Sequence, residues 1–153
     1  MADPVRALDL PARTATIYPP PYAAALEGRA KRALGDVFNL TQFGVNLTTL
    51  APGASSAQLH WHENEDEFIY VLEGELTLVD GAGEEQLTAG MCVGFKAAVP
   101  NGHKLVNKST QPCMYLEIGT RSEAERVHYP DSDMLAVKVD GKFRVTRKDG
   151  SPF

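Results

Sequence analysis

Cysteine is scarce in this chain, with only Cys92 and Cys113 among 153 residues. Two thiols cannot build the disulfide framework of a small secreted scaffold, and both lie in apolar, strand-like runs, where a small side chain packs as core in a reducing compartment. Basic charge is also short: 15 Lys and Arg against 20 Asp and Glu leave a net charge of -5 and a pI of about 5.3. That balance excludes the broad positive face needed to attract nucleic acid or an anionic membrane. Long hydrophobic runs are missing as well. The opening Met1 to Tyr22 carries no apolar segment long enough for a signal peptide or a membrane span, so a cytoplasmic protein is expected. No internal repeat is evident. What is present is 43% hydrophobic residues in 153, enough for one sizeable core and too few residues for two independent domains.

Proline is concentrated at the start, at Pro4, Pro11 and Pro19-Pro20-Pro21. This predicts an extended arm over residues 1–21, lying on the body or on a partner subunit. Tyr22 to Leu34 is rich in Ala, Leu, Glu, Lys and Arg, which predicts a short or broken helix stopped by Gly35, with Arg29, Lys31 and Arg32 on a solvated face. Residues 1–36 are therefore read as arm and helix. Strand character begins at Val37: Phe38 to Leu40, Gly44 to Leu50, Phe68 to Leu72, Glu75 to Val79, Glu84 to Leu87, Met91 to Phe95, His103 to Asn107 and Cys113 to Ile118. These seven or eight strands, separated by turns such as Glu73-Gly74 and Asp80-Gly81-Ala82-Gly83, read as an antiparallel meander over 37–120 that closes into an all-β jelly-roll barrel. Arg121 to Asp133 reads as a polar loop. Asp140-Gly141 between two strand-like runs predicts a terminal hairpin, packed with 121–153 on the same domain.

The chemistry is concentrated between Gly53 and Gly74. His60 and His62 are separated by one residue, so on a strand they point the same way, roughly 7 Å apart and able to grip one ion. Glu67 opens the next apolar segment, and His103 enters another strand after Pro100-Asn101-Gly102. Three imidazoles and a carboxylate suit one divalent transition-metal ion (Fe, Mn, Ni, Co or Zn) and suit Mg or Ca poorly. Three of the four histidines fall in this pattern. His128 has no partner motif and is read as a structural or surface residue.

At these residues the sequence resembles the cupin superfamily. Its first motif is a Gly, a spacer, His-x-His, three or four residues, Glu, six residues and Gly; here His60, His62, Glu67 and Gly74 keep that spacing. The second motif is altered: Gly90 and five residues lead to Lys96-Ala97-Ala98 in place of Pro-x-Gly, but His103 and Asn107 keep their interval. The resemblance covers Gly53 to Asn107 and looks like small bacterial single-domain cupins. It implies a metal cupin with a small-molecule ligand, and it favours a homodimer, which the arm and the terminal hairpin would help to cover.

Parity supplies a pocket list. Gln58 shares the face of the histidine pair, Ile69 and Val71 that of Glu67, and Leu105 and Asn107 that of His103. The expected wall is largely apolar, with no inward Arg or Lys and no second inward carboxylate to act as base; Glu67 itself is the catalytic candidate. Vacant coordination positions distinguish a reactive metal from a structural one. The resulting expectation is a metal-dependent enzyme acting on a small oxygen-bearing metabolite. Dioxygenase-type oxidoreductase ranks ahead of sugar or sugar-phosphate isomerase and lyase, and a non-catalytic binding module is the rival class.

Overall fold

A computed structural model describes residues 3–153. After the 3-10 turns Ala7–Asp9 and Tyr22–Leu26, the elements in chain order are β1 (Arg29–Ala33), the short helix α1 (Leu34–Val37), β2 (Phe43–Leu50), β3 (Trp61–His62), β4 (Glu67–Glu73) and β5 (Glu75–Asp80). There follow β6 (Gly83–Thr88), β7 (Cys92–Phe95), β8 (His103–Val106), β9 (Cys113–Thr120), β10 (Arg126–His128), β11 (Leu135–Val139) and β12 (Lys142–Thr146). They form antiparallel sheets with the orders β1-β2-β9-β4-β7, β12-β11-β10-β3 and β6-β5-β8. The jelly-roll reading is correct.

Inside the barrel, Leu50, Ile69, Val71, Leu76, Leu105 and Tyr115 form the main apolar cluster. A smaller cluster of Val127, Tyr129, Met134 and Ala136 lies between the terminal hairpin and the arm residues Tyr18 and Tyr22. The hairpin pairs Val139 with Lys142 across Asp140-Gly141, both at positive φ, as its two-residue turn requires.

Several local expectations are corrected. The helix over Tyr22 to Leu34 is instead a 3-10 turn, a strand and one helical turn. Gly28, at φ +86, breaks it, and a Cβ there would come within 3.0 Å of the Ala51 Cβ. Each residue of β1 then pairs with β2, so long-range pairing overrides the helix propensity of Ala, Lys and Arg. Phe38 to Leu40 is no strand; Asn39 sits at φ 54 and the chain turns there. The loop after Arg121 contains β10, which forms because it finds β3 and β11 as neighbours. Cys113 is buried as expected, but Cys92 is exposed, because its register with Tyr70 puts it on the outer face of the sheet. The arm lies on its own body: Arg13 and Lys31 exchange backbone hydrogen bonds at 2.8 and 2.9 Å, and Arg32 Nε donates to Leu10 O.

Candidate metal centre and its cavity

The four predicted ligands arrive from three sheets. Glu67 opens β4, His62 lies on β3, His103 starts β8, and His60 is locked to His103 by a two-way backbone bridge of 3.2 and 2.9 Å. Their side chains converge on one oxygen. Glu67 Oε2 is 2.7 Å from His103 Nε2, 3.7 Å from His60 Nε2 and 3.9 Å from His62 Nε2. Candidate ligand atoms of His60, His62 and Glu67 all lie within 4.8 Å of one another, and His103 joins them through its hydrogen bond with Glu67.

The outer nitrogens decide whether the set fits a metal. His60 Nδ1 is 2.9 Å from Gln58 O, so Nδ1 carries the proton and Nε2 keeps its lone pair facing Glu67. His62 Nδ1 lies 3.5 Å from a carboxylate oxygen of the fully buried Glu125 without a hydrogen bond to it, and His103 Nδ1 is buried with no partner among the described residues; a small approach of Glu125 would give His62 the outer-sphere carboxylate of a ligating imidazole. Phe95 stacks on the His103 ring at 3.5 Å and fixes its plane. Nitrogen and carboxylate donors with oriented rings fit a transition-metal ion.

The electrostatics agree. Burial, and then the neighbouring His60, hold His62 down to about 4. Burial also lowers His103, against the pull of Glu67. For His60, burial is outweighed by Glu67, and its pKa rises. Burial pushes the Glu67 carboxyl up, but the hydrogen bond with His103 and the facing His60 ring win and hold it well below the usual carboxylate range. Glu67 is thus ionised and His62 neutral, the states in which each can ligate.

The cluster opens into a cavity of about 410 Å³. The arm residues Thr16, Ile17 and Tyr18 wall one side, and Tyr129 and Phe143 another. Four cations, Arg29, Lys31, Arg121 and Lys138, and four carboxylates, Glu65, Asp66, Glu67 and Glu117, also line it. Lys31 Nζ bonds both Glu117 oxygens at 2.7 and 2.9 Å, and Asn46 Nδ2 adds 3.3 Å. Lys138 pairs with Glu65 at 3.0 Å, and Arg121 with Asp36 at 3.2 Å. A second cavity of about 270 Å³, lined by Trp61, Val93, Phe95, Lys96 and Val99, reaches His62 and His103 from the other side.

The expected apolar wall is therefore corrected. Ile69, Val71 and Leu105 do face the interior, as parity requires, but they pack in the core cluster and do not line the cavity. Asn107 is buried and donates to Leu50 O and Gln111 O, bracing a loop, while Gln58 donates to Tyr22 O. Parity gives the face and not the depth, and at that depth the barrel is filled. Arg29 and Lys31 are not a solvated face, since β1 turns both inward. An alternating Arg-x-Lys could have signalled this once the segment was read as a strand. Glu117 was also legible: it shares a face with Cys113 and Tyr115 in an otherwise apolar run. His128 remains outside the cavity, stacked on Trp61 at 4.2 Å and bonded to Glu63 at 2.6 Å.

The cupin domain family profile matches residues 46–119. A crystal structure of a sugar phosphate isomerase from the cupin superfamily of Silicibacter pomeroyi is 44% identical, with a TM-score of 0.92 over 98% of this chain and 96% of that one. The chain belongs to the cupin superfamily. A candidate sugar phosphate isomerase from Acidithiobacillus ferrooxidans is 29% identical, with a TM-score of 0.73 over 79% of this cupin and 77% of that chain. The polyketide cyclase RemF of Streptomyces resistomycificus, 19% identical with a TM-score of 0.65 over 97% of this chain and 86% of that one, shares the fold. No curated protein matches this chain.

Proposed function

We propose that this cupin is a metal-dependent isomerase of a small, sugar-like hydroxycarbonyl compound, with His60, His62, Glu67 and His103 holding one divalent Fe, Mn, Co, Ni or Zn ion. The observation that carries this reading is Glu117, an ionisable carboxylate held by Lys31 and Asn46 in the wall of the cavity that contains the metal ligands. Isomerisation needs a base that removes a proton and returns it one carbon away, and Glu117 meets that need where the apolar-wall expectation left it unmet. The 44% identical isomerase supports the same chemistry.

When bound, the ion polarises the substrate carbonyl and stabilises the developing negative charge. Glu117 takes the proton from the hydroxyl-bearing carbon beside the carbonyl, and the C–H electron pair forms the carbon–carbon double bond of an enediol. Glu117, having exchanged its proton with solvent in part of the turnovers, then returns a proton to the former carbonyl carbon as the hydroxyl proton moves between the two oxygens. Lys31 and Asn46 hold the carboxylate in place, and Tyr18 and the arm wall the same cavity.

The test is proton NMR in D2O with the metal-loaded protein and a panel of aldoses, ketoses and their phosphates. Exchange of the carbon-bound hydrogen should accompany isomerisation, and Glu117→Gln should slow both by about 10²–10⁴-fold while metal content stays stoichiometric. Oxygen uptake with Fe(II) and no exchange would return the oxygenase reading to first place. Tight ligand binding without turnover would establish a binding module.

A further inference from the structure

Among the cations lining the cavity, Arg29 stands apart. Lys31, Lys138 and Arg121 each have a carboxylate partner within 3.2 Å. Arg29 has none among the described residues. Its one recorded bond is Nη1 donating to Ser56 O at 2.7 Å, and its Nε is buried with no partner. A guanidinium presents five N–H donors in a planar fork suited to an oxoanion. Arg29 is half-buried, and an unpaired cation partly withdrawn from water is stabilised when an anion arrives beside it.

Two tyrosines share the cavity wall with this fork. Tyr18 and Tyr129 meet edge to face at 5.5 Å, and both line the cavity with Arg29. The fully buried Tyr115 has an Oη that also lacks a partner among the described residues. The His60 ring lies 6.1 Å from that of Tyr129, and Arg29 shares the cavity lining with His60, His62 and Glu67.

We infer that Arg29, with Tyr18 in the same cavity wall, is the seat for the phosphate group of a phosphorylated substrate whose carbonyl end lies at the His60, His62, Glu67 and His103 cluster. This rests on the isomerase reading for what the remainder of the molecule is. Seating the phosphate at Arg29 fixes the distance from anchor to reacting carbon, so chain length becomes part of the specificity.

Inorganic phosphate is the probe, titrated calorimetrically into the full chain, both metal-loaded and chelator-treated, with acetate as a monoanionic control. Phosphate should bind in both states, more tightly with metal. Arg29→Met should weaken it at least 10-fold in both, Arg29→Lys less, and Tyr18→Phe should give an intermediate loss with the arm still packed. Circular dichroism checks that each variant folds; if Arg29→Met does not, the Lys and Phe variants carry the comparison. Phosphate that binds only with metal and ignores Arg29 and Tyr18 would overturn the seat. The two readings fail separately. Loss of Arg29 dependence with proton exchange intact removes the seat alone, whereas phosphate bound at Arg29 with no exchange from any hydroxycarbonyl compound removes the isomerase alone.

Discussion

Replacing Glu125 should damage both the fold and the metal centre, by amounts that can be separated. Its side chain is 0% exposed. One oxygen accepts the Glu63 N–H and the other the Asn64 N–H, each at 3.0 Å, and the first lies 3.5 Å from His62 Nδ1. Glu125→Ala leaves the Asn64 N–H without its charged acceptor, and leaves the Glu63 N–H with Arg126 O at 3.0 Å alone; a charged acceptor lost from a fully buried donor costs about 1.5–3 kcal/mol. Asn64 is exposed and can recruit water, which lowers the expected total to about 2–4 kcal/mol. In a chain of this size that is a fall in melting temperature of roughly 4–15 °C. Glu125→Gln keeps one acceptor and should cost about 1 kcal/mol, yet it removes the charge beside His62, so metal affinity should fall about 10–100-fold. The assays are urea unfolding of the metal-free protein and competitive metal titration against a chromogenic chelator. Glu123→Ala, on the same loop but exposed, is the control and should change stability by no more than about 0.5 kcal/mol. The reasoning fails if Glu125→Ala matches this control, or if Glu125→Gln binds metal as tightly as the parent.

The metal-free protein should lose stability as pH falls from about 6.5 to 4. His62 and His103 are held below their ordinary value in the fold, so the unfolded chain takes up more protons in that window. His60, raised in the fold, opposes this only near pH 6.5, where the unfolded chain is still taking up that proton, and adds no slope further down. A melting temperature that stays level from pH 7 to 4.5 would refute this, and His62→Asn should flatten the profile. Gly74→Ala should destabilise by about 1–3 kcal/mol, because Gly74 sits at φ +79 and a Cβ would come within 2.9 Å of Pro112 O; unchanged urea unfolding would show that the turn relaxes. The expected homodimer has a candidate surface in the outer face of β4, where Phe68, Tyr70 and Leu72 are exposed and Phe68 and Tyr70 pair with Ile118 and Leu116 of β9. If a second copy covers it, Tyr70→Glu with Leu72→Glu should convert dimer to monomer by light scattering, whereas identical masses for parent and variant would exclude this face.

Local spacing alone specified the candidate metal ligands. His60 and His62 are two apart, Glu67 opens an apolar strand and His103 follows a turn, and strand parity makes such intervals directional. The Asp140-Gly141 hairpin was legible for a similar reason, since positive φ at two successive positions leaves few residue choices. The wall of the cavity was decided elsewhere. Arg29 and Lys31 have helix-forming neighbours, and only pairing with β2 makes them a strand that turns both inward. Glu125 sits in a polar loop by composition, and it becomes a partner of His62 only because β10 joins β3. Ile69, Val71 and Leu105 had the right face but the wrong depth, because how far a barrel interior is filled depends on side chains from every sheet at once. Short-range periodicity thus fixed which atoms could grip a metal, while the charge around it depended on pairings between strands far apart in the chain.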